Sequence, residues 1–410
     1  MDTEENMTID ERRKYLRLTQ KRYMRANRKG KARLLDEMEA VTGLHRKALI
    51  RLLKSDLRRA LRRKQRGRKY GVKVQIALKV ISESTDYVCA ERLQPNLVWL
   101  TKHLARHGEL EVSPELLDQL REISIPTVRR ILQRLEQDKP RLPRRSPREA
   151  NRVARSVPIR RIPWDEQEPG HLEVDLVHHC GPTADGHYIH SLQMIDIATG
   201  WSERVAILGR SYLVIRDGFL HILTRLPFPI VEVHSDNGSE FLNNHLVRFW
   251  REENNGIELS RGRPHHKNDQ RFVEQKNSTL VRAYFGYERL DTVAKTNALN
   301  LLYDKMWIYY NFFQPVMRLE EKTVVTQENG GSRIKRRHDQ AQTPLDRLIA
   351  TNILPEERRV ALEVLRDQTN PRQSRQEIHD TIGRILAMPG ATIGQTEDVY
   401  QTLMVTGCAN

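Results

Sequence analysis

The chain has 410 residues, room for two to four domains at ~100–200 residues each, and 69 Lys and Arg against 53 Asp and Glu give a formal net charge of +16. No run approaches the ~18 consecutive apolar residues that cross a bilayer, and the start MDTEENMTIDERRK has no apolar stretch, so neither a membrane span nor a secretory leader is expected. Three scattered cysteines (Cys89, Cys180, Cys408) with no CxxC pair exclude a disulfide framework and a Cys-rich zinc finger, and suit a reducing cytosol.

The charge is local. Residues 1–70 hold 23 Lys and Arg against 9 Asp and Glu, and residues 139–163 hold 9 against 1, so the remainder is net acidic. Basic segments of this kind are the electrostatic footprint of a polyanion binder. In the first of them, Leu34, Leu35, Met38 and Val41 recur at helical steps, Thr42-Gly43 interrupts, and Leu44, Ala48, Leu49, Leu52 and Leu53 resume. This is a helix-turn-helix spacing, and Arg46, Lys47 and Arg51 on its second helix are candidate DNA contacts. The pattern returns at 113–136, where Ser113-Pro114-Glu115 reads as a helix start and Arg129 and Arg130 decorate the second helix. Residues 71–108 between them read as helical. Five prolines and nine cations make 139–163 an extended linker, with Arg144 and Arg145 among its DNA-tracking cations.

The composition changes at 164. HLEVDLVHH alternates as a strand, GHYIHSLQMIDIATGWSERVAIL gives two strands joined at Thr199-Gly200, and SYLVIRDGFLHILTRL is an amphipathic helix. PIVEVHSD, FLNNHLVRFWREE, IELS and NDQRFVEQKNSTLVRAYF continue as strand, helix, strand and helix. The order βββαβαβα predicts an α/β core with a mixed five-stranded sheet over 164–290, behind all-α regions at 1–70 and 71–138. Residues 291–370 read as helical with a basic loop at GGSRIKRRHDQAQTP, and 371–410 is a tail without an assigned role.

Three carboxylates stand out by position. Asp175 lies mid-strand, where Asp is depleted and a buried carboxylate needs a partner such as a metal ion. Asp236 ends an apolar strand just before Asn237-Gly238, at the kind of strand end where α/β sheets bind ligands. Glu274 sits on a helix beside the stripe Val273, Leu280 and Tyr284. Two Asp and one Glu suit Mg²⁺ or Mn²⁺, and such a set can hold two ions ~3.5–4 Å apart. Glu173, two residues before Asp175 on the same strand face, reads as a supporting residue, while Asp185 and Asp196 read as turn residues. His178-His179-Cys180 lacks a second ligand pair for zinc, and His265-His266-Lys267 is a candidate phosphate contact.

EVD, HSDNGSEF and SRGRPHHKNDQRFVEQKN together resemble the retroviral-integrase-type DDE transposases of bacterial insertion sequences. The 38 positions from Asp236 to Glu274 match the family's spacing, and the resemblance extends over roughly 165–350. It implies a ribonuclease-H-like core whose catalytic, metal-holding triad falls on Asp175, Asp236 and Glu274. Asn237 and Gln270 fall on positions near the DNA, and His234, Glu240, Lys276 and Asn277 on patterned flanks, with Lys276 a further candidate DNA contact. The implied activity is Mg²⁺- or Mn²⁺-dependent cleavage at transposon ends and strand transfer to target DNA. The implied partners are double-stranded terminal inverted repeats, target DNA and a second copy in a dimer or larger synaptic assembly in the bacterial cytosol. The chain departs from the family in lacking an HHCC zinc module and in having Arg271 where many integrases have Gly. A DNA-binding regulator with a vestigial core and a ribonuclease-H-type nuclease are the alternatives.

Overall fold

The computed structural model describes residues 7–55, 57, 69–135, 166–236, 238, 240–254, 257–262, 270–326, 332–392, 394–395 and 397–404. The chain forms two compact units, Met1–Lys69 and Tyr70–Asn410.

In the first unit, α1 (Ile9–Arg25), α2 (Arg28–Thr42) and α3 (Arg46–Leu53) pack around Leu16, Tyr23, Leu35, Met38, Leu49 and Leu53. Thr8 and Glu11 close a reciprocal capping box at the start of α1, and the Asn27 side chain caps α2. The break expected at Thr42-Gly43 is real: Gly43 ends α2 at φ +66°, a left-handed turn that a glycine enters without a Cβ penalty.

The second unit begins with α4 (Val72–Ser84), α5 (Ala90–Leu93), α6 (Leu97–Arg106), α7 (Pro114–Glu122) and α8 (Ile125–Leu132), built on their own core of Leu78, Ile81, Leu97, Leu100, Leu104 and Leu120. These helices belong to the same compact unit as the sheet. Asp86 and Tyr87, at φ +53° and +56°, follow α4 in left-handed conformations that cost a non-glycine residue about 1–2 kcal/mol each. Neighbours hold them there. Arg375 Nε donates to Asp86 at 3.1 Å and its guanidinium lies over the Tyr87 ring, while the Tyr284 hydroxyl also donates to Asp86. Tyr309 and Gln314 bind the adjacent carbonyls of Ser84 and Thr85 at 2.9 and 2.6 Å.

Five strands follow, β1 (His171–His178), β2 (Ile189–Asp196), β3 (Ser202–Leu208), β4 (Glu232–Ser235) and β5 (Glu258–Arg261), in the spatial order β3-β2-β1-β4-β5. β2 runs antiparallel to β1 and β3, whereas β4 runs parallel to β1 and β5. This is the mixed five-stranded sheet expected from the strand pattern. Asp196 closes the β2–β3 turn, accepting from Thr199 N–H and hydroxyl and from Gly170 N–H, the turn role read for it.

One sheet face packs under α9 (Tyr212–Arg225) and α10 (Asn244–Arg248) through Leu192, Val205, Ile207, Phe219 and Leu246. Gly218 of α9 sits so close to the sheet that a Cβ would stand 3.1 Å from Ile207. The other face packs under a run of α11 (Arg271–Lys276), a π-helical turn (Asn277–Arg282) and α12 (Ala283–Phe285), and under α13 (Val293–Phe313). β3 is an edge strand, and α13 covers it: Asn300 brackets the backbone N–H and C=O of Ala206, and Asn311 those of Ser202. The side-chain amides thereby occupy edge groups that could otherwise pair with another chain.

Two expectations for the C-terminal part are corrected. The stretch read as helix running into a basic loop is a β-hairpin, β6 (Leu319–Thr326) paired antiparallel with β7 (Ser332–His338). Alternation in EKTVVT and SRIKR favours paired strands over a helix. The segment read as a tail contains α16 (Pro371–Ala387), which follows α14 (Pro344–Ala350) and α15 (Glu356–Gln368) and packs on α13 and α4. Among the described residues no helix is long and apolar enough to cross a membrane.

Candidate active site

β1 positions the first carboxylate. Asp175 is half-buried on the face that packs against the Glu274 helix, in one lateral row with Gln193 and Arg204. Its Oδ1 accepts from Leu176 N–H at 2.8 Å and its Oδ2 from Asn277 Nδ2 at 2.6 Å. Burial pushes its pKa up to about 8, and the charges of Asp236, Glu274 and Glu240 all add to the rise. Asp236 and Glu274, remote from it in sequence, therefore both act electrostatically on Asp175.

Asp236 follows β4, the strand parallel to β1, and its Oδ1 accepts from Gly238 N–H at 2.8 Å. Burial raises its pKa, and Glu240 raises it further against the opposing Gly238 hydrogen bond. Gly238 is enclosed by these two carboxylates: a Cβ there would stand 2.7 Å from Glu240 Cδ and 2.8 Å from Asp236 Oδ1. Glu240 is thus a fourth acid of the cluster. The signal for it was the patterned HSDNGSEF stretch, which alone does not reveal that the Glu240 carboxylate folds back onto Gly238.

Glu274 is exposed on α11, with Val273, Leu280 and Tyr284 of the same run buried as expected. The start of this helix is held by Glu173. Its carboxylate, 2% exposed, accepts from the backbone N–H groups of Phe272 and Val273 at 2.9 Å each. Burial moves the Glu173 pKa up to about 7 against those two hydrogen bonds. Gln270, the residue before the helix and a candidate DNA contact, is buried instead, with its amide directed to the carbonyls of Val174 and His234 at 3.3 and 3.4 Å.

The other candidates are dispersed. Burial, with Arg92 and Arg204 nearby, lowers the pKa of Lys276 to about 7. Arg204 is fully buried, its guanidinium over the rings of Tyr310 and Tyr303, and none of its three nitrogens has a hydrogen-bond partner among the described residues. In the first unit Lys47 and Arg51 are exposed, while Arg46 pairs with Asp36. Arg129 and Arg130 are exposed on α8, with Arg129 paired to Glu91. Asn237, Lys267, Arg144 and Arg145 lie outside the described residues.

His178 and His190 face each other in register across β1 and β2, with ring centroids 4.7 Å apart. Burial lowers both, His190 to about 2. His179 points inward to Ser191 at 2.8 Å, and burial lowers it to about 3.

The donor set is carboxylate oxygen throughout, which fits a hard divalent cation, and the rise that Asp236, Glu274 and Glu240 impose on Asp175 is what a bound cation would relieve. Among the described residues no three His, Cys, Asp or Glu side chains stand close enough to hold a metal as a group. The acids are therefore neighbours within one field, short of a closed coordination shell.

No family model matches the chain. It is 37% identical over 327 residues to the uncharacterized protein y4rM of Sinorhizobium fredii (strain NBRC 101917 / NGR234), covering 80% of this chain and 91% of that one. The chain belongs to the y4rM family. Among solved structures it is similar to the catalytic core domain of BIV integrase, at 15% identity and a TM-score of 0.28 over 45% of this chain and 95% of that one. It is also similar to the HTLV-2 integrase catalytic core domain in complex with magnesium, at 17% identity and a TM-score of 0.27 over 36% and 90%.

Proposed function

We propose that this member of the y4rM family is a DDE transposase, a polynucleotidyl transferase that cuts DNA at transposon ends and joins the 3′ ends to target DNA. The observation that carries the reading is Asp175, a mid-strand carboxylate pushed up to about 8 by burial and by Asp236, Glu274 and Glu240 together. Charges of one sign are seldom gathered in a folded chain without a cationic ligand to offset them, and strained carboxylate sets mark functional sites.

Asp175, Asp236 and Glu274 would hold the cation, Mg²⁺ or Mn²⁺. When bound, two such ions supply an activated nucleophile at neutral pH and stabilise the leaving oxygen. Within the chain, Leu176 N–H and the Asn277 amide fix the Asp175 carboxylate, and Gly238 N–H fixes that of Asp236. In the proposed reaction water breaks a phosphodiester bond at the element end and releases a 3′-hydroxyl. That hydroxyl then attacks a target phosphodiester directly, displacing a 3′ oxygen, with no covalent protein intermediate.

The exposed cations of α3 and α8, with the basic linker at 139–163, would bind the terminal inverted repeats, and pairing of two ends would require at least two copies. The test is cleavage and strand transfer on duplexes carrying the inverted repeats that flank the gene. Mg²⁺-dependent product from the wild-type chain is expected, with loss in Asp175→Asn, Asp236→Asn and Glu274→Gln while end binding persists. Any of the three keeping full activity removes that residue from the triad. Binding without cleavage by the wild-type chain favours the regulator, and cleavage confined to RNA–DNA hybrids favours the nuclease.

A further inference from the structure

The helix that carries Glu274 begins without a cap of its own. The residue at its N-cap position is Gln270, whose side chain makes no bond to the helix because its amide is spent on the carbonyls of β1 and β4. The first N–H groups of a helix have no intrahelical acceptor and must find one elsewhere. Here those of Phe272 and Val273 converge on a single oxygen, Glu173 Oε2, at 2.9 Å each. Glu173 reaches them from the adjacent strand, two residues before Asp175.

One turn further on, Asn277 Nδ2 donates to Asp175 Oδ2 at 2.6 Å. β1 therefore grips the helix at two successive turns, and Glu274 lies between the two grips. Immediately after the second grip the backbone becomes π-helical, from Asn277 to Arg282. Such a turn shifts the phase of the side chains that follow it and occurs often at functional sites. The phase of Glu274 is consequently set between these two grips, with Glu173 holding its N-terminal side.

We infer that Glu173 is a positioning residue for the acid cluster: its buried carboxylate caps the Glu274 helix from β1 and so fixes where Glu274 stands relative to Asp175. The inference rests on the transposase reading for its catalytic meaning, but the cap itself can be measured without any activity. One oxygen takes both N–H groups, so Glu173→Gln retains the acceptor, whereas Glu173→Leu fills the space without one.

The experiment compares the full chain with both variants. Backbone hydrogen exchange over 271–277 should quicken about tenfold in Glu173→Leu and stay near wild type in Glu173→Gln. On inverted-repeat duplexes with Mn²⁺, Glu173→Leu should lose about a hundredfold in the cleavage rate with end affinity unchanged, and Glu173→Gln should restore most of it. Unchanged exchange in Glu173→Leu overturns the cap. Glu173→Gln failing as badly as Glu173→Leu overturns the acceptor argument, and does so even if Glu173→Leu does not fold. Quickened exchange with full cleavage overturns the positioning role. If the wild-type chain has no metal-dependent cleavage, the transposase reading fails while the exchange result still decides the cap.

Discussion

Replacing Asp175 by Asn should make the metal-free protein more stable. The folded state holds this carboxyl at about 8 against an ordinary 3.8. A carboxyl raised on folding favours the folded state while it is protonated, below about pH 4, and that advantage disappears as pH climbs toward 8. At about 1.4 kcal/mol per pH unit, the proton that folded Asp175 retains at pH 7, and that the unfolded chain releases, costs the folded state roughly 4 kcal/mol. A neutral amide avoids this. It also fits the local hydrogen bonds: Leu176 N–H keeps an oxygen acceptor, and a flipped Asn277 amide can accept from the new NH₂ through Oδ1, which is buried without a partner in the present orientation. Allowing about 1 kcal/mol for weaker hydrogen bonding by the amide, the net gain is roughly 2–3 kcal/mol, or a rise in Tm of about 3–4 °C for a unit of this size. Scanning calorimetry of both proteins in EDTA at pH 7.0 and pH 4.0 tests it. The gain should be present at the first pH and nearly absent at the second. A variant with equal or lower Tm at pH 7, or a gain independent of pH, refutes the reasoning that crowded charge dominates at Asp175.

Arg375→Met removes the guanidinium from buried Asp86, and denaturant unfolding should show a loss of about 3–5 kcal/mol. Gly238→Ala drives a methyl group into the Asp236 and Glu240 carboxylates; cleavage assays should show a loss near a hundredfold at a Tm within ~2 °C of wild type. Glu173 and Asp175, raised on folding, favour the folded state as pH falls from about 8 toward 4, whereas His179 and His190, lowered on folding, oppose it from 6.5 downward. Between pH 6 and 5, metal-free Asp175→Asn should therefore lose stability toward acid by about 1 kcal/mol per pH unit more than the wild-type chain, measured by urea titration.

The sheet was legible because its strands are short and bounded by turn residues, and because LEVDLV and PIVEVHSD carry apolar alternation strong enough to fix both element and face. The β6–β7 hairpin was missed because the composition of GGSRIKRR overshadowed its period of two. The long-range partnerships were illegible for a physical reason. Glu173 caps a helix some hundred residues away, and Asp86 pairs with Arg375 across 289 positions. No local pattern encodes a partner that only the tertiary fold brings near. Gln270 illustrates the converse. Its place before Glu274 suggests an exposed polar contact, yet the parallel pairing of β1 with β4 leaves carbonyls that its amide fills from within.

The pairing of Asp86 with Arg375 also bears on how the chain is made. Helices α4–α8 leave the ribosome early, but the cation that secures the left-handed turn at Asp86 and Tyr87 emerges only when most of the polypeptide has been synthesised. Until then that turn lacks its buried cation, though Tyr284, Tyr309 and Gln314 are already made. A nascent chain cut short before α16 would hold the Asp86 carboxylate without its buried cation.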